Sequence, residues 1–211
     1  MVNVVFGSMR MNKVYVLLSF LLLTISAVDV EKYPSEKDWQ NGDIVFQDSE
    51  SSQSKAIKLA TGSDFSHCGI VMNINDEWMV LEAVQPVKVT PIDEWIARGT
   101  DGEYTMKRLK NSEILTEKVG TKMWQVGESF IGKNYDIFFD WGDERLYCSE
   151  LVWKIYKRGA GIEVGARKKL KEYNLNSQEV KEQLQLRYGA DIPLDHEMIS
   201  PQDIFESDLL E

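Results

Sequence analysis

The run Leu146-Tyr147-Cys148-Ser149-Glu150-Leu151-Val152-Trp153 constrains this chain more than any other stretch. Leu151, Val152 and Ile155 follow Cys148 by three, four and seven residues, the spacing of one helical face. A helix with such a face must bury it against another layer, and it carries Cys148 inward in its first turn. The first backbone N–H groups of a helix have no internal partners and bear partial positive charge. A thiol placed there loses its proton more readily, and the thiolate is the nucleophile. Glu150, in the same turn, suits the helix dipole but opposes a thiolate, so it is expected to point away. The competing reading is a free cysteine packed as a small hydrophobe. The run names a nucleophile and no base, so the base has to come from elsewhere in the chain.

Few residues are available for that role. Cys68 and Cys148 are the only cysteines, and His67 and His196 the only histidines, among 211 residues. No CxxC pair and no zinc-ribbon spacing occurs, so neither a disulfide scaffold, a structural metal nor a cofactor is indicated. A hydrophobic content of 43% supports a real core in one domain. The net charge of −10 argues against nucleic acid as a partner, whose phosphates demand a basic surface.

At the N-terminus, Arg10 and Lys13 precede the apolar run Val14 to Ile25, followed by Ser26-Ala27 and then acidic chain. This pattern reads as a secretory signal peptide over residues 1–27. The run is short for a membrane span, so no stable span is expected after its removal; an uncleaved anchor is the alternative. No cysteine follows the run to serve as a lipoprotein anchor. The expected location is periplasmic or otherwise extracytoplasmic.

Beyond it, Asn41-Gly42 reads as a turn before the strand around Ile44-Val45-Phe46, and Ser51 to Ala60 as a short amphipathic helix stopped near Gly62. Strands over Asp64 to Met72 and Trp78 to Val84, separated by the polar stretch Asn73 to Glu77, predict an antiparallel hairpin. Pairing Val71 with Trp78 sets His67 opposite Glu82, where a carboxylate holds the imidazole in one tautomer. Strand alternation turns Cys68 away from His67, so Cys68 is expected simply to pack. Thr90-Pro91-Ile92-Asp93 predicts a helix capped by Thr90, Leu115 to Phe130 a longer helix, and Ser200-Pro201-Gln202-Asp203 a final short one. Residues 166–190 are charged and helix-prone, anchored by Leu170, Tyr173, Val180 and Leu184, and are expected to form a peripheral insertion or cap.

A thiol at a helix start, a histidine on a strand and a carboxylate beside it form a nucleophile, base and orienting group. Their order here is His67, Glu82, Cys148. With Asn41-Gly42-Asp43-Ile44-Val45, Phe65-Ser66-His67-Cys68-Gly69-Ile70-Val71, Leu81-Glu82-Ala83, Gly132-Lys133-Asn134-Tyr135-Asp136 and the Cys148 run, that order resembles the circularly permuted branch of the NlpC/P60 superfamily and, within it, the YiiX-like permuted papain-like hydrolases. Ser200-Pro201-Gln202-Asp203-Ile204 is similar to the closing segment of that family. The resemblance implies an α+β fold for residues 28–211, with an antiparallel, partly barrelled sheet packed on the cysteine helix. It implies Cys148 as nucleophile, His67 as base, Glu82 as orienting group and Tyr147 as a substrate or oxyanion contact. His196 matches no catalytic motif and reads as part of a polar loop.

Three kinds of function follow. The first is a cysteine hydrolase cleaving an amide in a small peptide, amino-acid amide or cell-wall fragment through an acyl-enzyme. The second moves or releases lipid acyl groups, as lecithin–retinol acyltransferase relatives do. The third is a binding module whose triad is structural.

Overall fold

The computed structural model describes residues 39–49 and 51–211. The expected signal segment, 1–27, lies outside the described residues. The chain begins with β1 (Ile44–Gln47), α1 (Ser52–Thr61), the hairpin β2 (His67–Ile74) and β3 (Glu77–Glu82), β4 (Lys88–Pro91), α2 (Ile92–Ala97) and β5 (Thr105–Lys107). It continues with α3 (Glu117–Glu128), two short strands β6 (Asn134–Tyr135) and β7 (Arg145–Leu146), and α4 (Cys148–Ile155). The last part holds β8 (Lys168–Lys169), α5 (Gln178–Tyr188), β9 (Glu197–Met198) and α6 (Pro201–Phe205).

Five strands make an antiparallel sheet in the order β4-β3-β2-β1-β5. One face carries Ile44, Phe46, Cys68, Ile70 and Leu81, packed against Leu151, Val152 and Ile155 of α4 in the main core. The other face carries Val45, Val71 and Val80, covered by Trp39 and by Trp95 of α2. Alternation along β1, β2 and β3 produces both faces, so each of these strands is buried on two sides.

Side chains cap α1, α3 and α6, and at α6 the cap is the one the sequence suggests. Ser51 accepts from the Ser54 N–H at the start of α1, and Gly62 ends that helix with φ +66°. Thr116 caps α3, and Ser200 with Asp203 makes a reciprocal cap on α6. At α2 the cap is Pro91, not Thr90. Thr90 stays in β4 and spends its hydroxyl on Glu82, 2.6 Å away.

The hairpin register also differs from the sequence expectation. Val71 pairs with Val80 instead of Trp78, because the turn is only Asn75-Asp76. Both residues have positive φ, 54° and 65°, which makes this a two-residue type I′ turn. The slip is two residues, so every side chain keeps its face. Glu82 now lies across from Gly69, and His67 meets it on the diagonal. A Cβ on Gly69 would stand 3.5 Å from the Glu82 Cβ and 2.4 Å from Val80 Cγ1, so glycine keeps this space open.

The 166–190 segment is α-helical only over α5; its first part pairs as β8 with β9 and runs into a 3-10 turn at Leu170–Glu172. Leu170, Val180 and Leu184 are buried, and Tyr173 packs partly buried against the same core.

Candidate active site

Three elements bring the site together. Cys148 is the first residue of α4, preceded by Tyr147 in extended conformation at the N-cap. His67 opens β2, and Glu82 closes β3. The His67 Nε2 lies 2.8 Å from Glu82 Oε2, and Cys148 hydrogen-bonds the same imidazole. With Nε2 engaged by the carboxylate, Nδ1 is the ring atom left for the thiol. The indole of Trp95 stacks on the imidazole with centroids 6.1 Å apart and an interplanar angle of 29°.

Glu82 is fully buried and accepts from three donors: His67, the Thr90 hydroxyl and the Arg98 guanidinium. Burial alone would raise its pKa; His67, Thr90 and Arg98 outweigh this and hold the carboxyl down to about 2. Burial pulls His67 down, but its hydrogen bonds to Cys148 and Glu82, and their charges, raise it to about 9. The Cys148 thiol is held well below the ordinary range, by a hydrogen bond from the Cys68 thiol, against burial, and by the His67 hydrogen bond and charge. These directions agree on one state, a thiolate beside an imidazolium.

Cys68 is therefore more than packing. Its side chain does lie on the opposite face of β2 from His67, yet that face is the one α4 covers. Its thiol and its backbone N–H both favour the Cys148 thiolate over the thiol. Burial and the neighbouring Cys148 push the Cys68 thiol up, so of the two it is the one that keeps its proton. Glu150 is turned to other partners: it accepts from the Gly142 and Tyr147 N–H groups and pairs with Lys154 Nζ at 2.7 Å. Tyr147 is buried, and its hydroxyl oxygen accepts the Ile199 N–H at 3.2 Å. His196 stands apart on the surface, 3.2 Å from Asp140.

Two cavities open beside the pair, one with Cys148 in its wall and the other with His67. The first is otherwise mostly apolar, with Ile57, Leu170, Val180, Leu184 and Met198 among its linings. The second is open and more polar, with His67, Ser49, Ser66 and Gln85 in its wall. Gln53, Ile57 and Tyr135 belong to both, so they stand at the division between them. The Gln53 side-chain amide donates to the Tyr135 hydroxyl at 3.4 Å, which leaves the phenol proton free to donate.

Residues 38–211 match the family described as permuted papain-like amidase enzyme, YaeF/YiiX, C92 family. The chain belongs to this family. Within it, the chain is 46% identical over 168 residues to the uncharacterized protein YiiX of Escherichia coli K12, covering 80% of this chain and 82% of that protein. The crystal structure of a protein titled metalloprotein yiiX, from Escherichia coli O157:H7, superposes with a TM-score of 0.79 at 46% identity. The match spans 82% of this chain and 94% of that one, so the α+β permuted papain-like fold is shared.

The word metalloprotein in that title can be tested on the donors present here. Among the described residues no group of three or more His, Cys, Asp or Glu side chains is placed to hold a metal ion. The two histidines sit in separate pairs, one with Glu82 and one with Asp140. This donor set does not fit a resident metal, and the chemistry below is derived from side chains alone.

Thr90, Arg98, Gln53, Tyr135 and Arg187 were not singled out as site residues by sequence reasoning. Glu82 and Thr90 do share a face of β3 and β4, so a strand pairing drawn one step further would have found Thr90. Arg98 follows α2, and Gln53 and Arg187 lie on helices far apart in sequence, with no local pattern to mark them.

Proposed function

We propose that this protein is a cysteine amidase that works outside the cytoplasm on small peptide, amino-acid amide or cell-wall-derived substrates. The observation that carries the proposal is the His67 ring, hydrogen-bonded to Glu82 through Nε2 and raised in pKa by the neighbouring Cys148. The Cys148 thiolate attacks the carbonyl carbon. The backbone N–H of Cys148, unpaired at the helix start, and the Tyr135 hydroxyl serve the oxyanion. The His67 imidazolium gives its proton to the leaving nitrogen, the C–N bond breaks, and a thioester remains on Cys148. Neutral His67 then takes a proton from water, hydroxide adds to the thioester, and the acid leaves as the thiolate and imidazolium re-form. Glu82 keeps its charge throughout and fixes the ring.

His67 protonates the leaving group, so that group occupies the polar cavity on the His67 side. The acyl half then lies in the apolar cavity on the Cys148 side. That apolar wall favours a second reading, in which the same thiol accepts a lipid acyl group and releases or transfers it. The extracytoplasmic location rests on the segment Val14 to Ala27.

The test exposes the mature protein to paired amide and ester libraries and looks for an acyl adduct by intact-mass spectrometry. An adduct mapped to Cys148, absent in Cys148→Ala and no longer formed from amides in His67→Ala, supports the mechanism. Turnover that survives Cys148→Ala would sink it. Amides consumed in preference to esters of the same acyl group select the first reading, and long-chain esters alone the second. N-terminal sequencing of protein from its native host tests the location; a chain still starting at or before Met11 would overturn it.

A further inference from the structure

Arg187 stands in the wall of the apolar cavity that also holds Cys148. It is half-buried, on α5. Its guanidinium donates to Gln53 Oε1 at 3.3 Å and lies over the Phe139 ring, 4.3 Å from the centroid. Both partners are neutral; the Tyr188 side chain also hydrogen-bonds it, and the charge of Asp136 acts on it from beyond ion-pair distance. The other arginines among the described residues behave differently: Arg98, Arg108, Arg145, Arg158 and Arg167 each pair with a carboxylate. Among the described residues Arg187 has no carboxylate at ion-pair distance. In a chain with 34 acidic against 24 basic residues, an arginine left without one is conspicuous.

A guanidinium removed from water is disfavoured unless an anion or a full set of acceptors replaces the lost hydration. Gln53 supplies one acceptor, and the guanidinium fork has five N–H donors. The aromatic ring stacks on the flat face and leaves the in-plane donors free for a planar anion. The exposed wall of the cavity is mostly apolar, and besides Arg187 and Cys148 its polar lining residues, Gln53, Gln183 and Ser200 among them, are uncharged. An anionic oxygen group entering there would find a fork suited to bidentate contact.

We propose that Arg187 is a specificity-determining residue that binds an anionic oxygen group, a carboxylate or phosphate, carried on the acyl half of the substrate. The assignment to the acyl half rests on the cysteine-hydrolase reading, since it follows from His67 serving the leaving group. Gln53 then has two tasks. Its carbonyl holds Arg187, and its amide holds Tyr135, so anion binding and the oxyanion donor share one side chain.

The experiment uses the mature protein and thiol reagents graded in length: N-iodoacetyl derivatives of ω-amino acids from glycine to 6-aminohexanoate, each against its primary amide. The ratio of acid to amide labelling rates at Cys148 cancels changes in the thiol itself. At the best chain length the acid should label about tenfold faster, with saturation, as expected for a charge-assisted contact. In Arg187→Gln that preference should fall to the residue contributed by the His67 imidazolium, and Arg187→Lys should retain part of it. A ratio equal in wild type and Arg187→Gln at every length overturns the proposal. ω-Phosphonate reagents of the same lengths show which anion the fork prefers. In parallel, the unreactive N-acetyl acids and amides are titrated by NMR into Cys148→Ala and into Cys148→Ala with Arg187→Gln. Tighter binding of acids that vanishes with Arg187 supports the proposal even if the thiol is inert, and equal binding refutes it. Inert thiol in wild type, by contrast, defeats the hydrolase reading alone.

Discussion

His67 is hydrogen-bonded to Glu82 and lies beside Cys148, and this sets what a titration will show. Its raised pKa, about 9, and the lowered Cys148 pKa bracket a window in which thiolate and imidazolium coexist. The rate of Cys148 alkylation by iodoacetamide should therefore be high already at acidic pH and change little until about 9. In His67→Ala the rise should move up toward the free-thiol range, about 8.5. Cys68, whose own pKa is pushed up, should stay unlabelled in the folded protein; peptide mapping that finds Cys68 labelled first contradicts the assignment. Glu82 makes the second prediction. Its carboxyl is depressed from 4.5 to about 2, so the folded state binds this proton more weakly than the unfolded state. The stability it contributes is complete above about pH 4.5 and is lost as pH falls toward 2, on the order of 3 kcal/mol in all. Urea midpoints measured from pH 6 to pH 2.5 should fall steeply in wild type and more gently in Glu82→Gln. That variant keeps the side-chain shape, so it should also retain a fraction of turnover, whereas His67→Ala should lose nearly as much as Cys148→Ala.

At the scale of elements, the hairpin decides whether these groups meet. Its residues were legible: period-two alternation marked both strands and put His67 and Glu82 on one face. The register was not, because the polar stretch from Asn73 to Glu77 does not reveal that only Asn75 and Asp76 form the turn. The error did no harm to the pairing because it was even: a slip of two preserves faces, and a slip of one would have separated the pair. Gly69 is the element's hidden requirement, since the diagonal meeting of His67 with Glu82 needs an empty place beside them. Gly69→Ala should force Val80 and Glu82 aside, costing about 1–3 kcal/mol in urea unfolding and lowering turnover more than substrate affinity. Gly120 of α3 offers the contrast: no atom lies within 4 Å of a Cβ added there. Gly120→Ala should leave turnover unchanged and raise stability by about 0.5–1 kcal/mol through helix propensity.

Over the whole molecule, the order of elements and the nucleophile's helix could be read along the chain because each has a local signature of capping, period and turn. The cavities could not. Their walls come from α1, the approach to α4, α5 and the loop at Met198 to Pro201, which only the finished fold brings side by side. In residues 166–190, Val180 and Leu184 dock as the expected anchors, while Arg187 on the same helix also reaches that wall, which the charge pattern alone does not reveal. The division of the site into two cavities has a kinetic consequence. On the proposed acyl-enzyme route, once the first product leaves the polar side, the thioester faces an open space lined by Ser49, Ser66 and His67. Whatever small nucleophile enters there competes with water for the same acyl group, and His67 serves either one. Hydroxylamine added during turnover should thus divert product from the free acid to the hydroxamate, in a ratio linear in its concentration. Where thioester breakdown limits the rate, substrate consumption should accelerate in step, and where thioester formation limits it, consumption should stay constant while the products change. The ratio measured this way reports how far the enzyme is a hydrolase by construction and how far merely by the abundance of water.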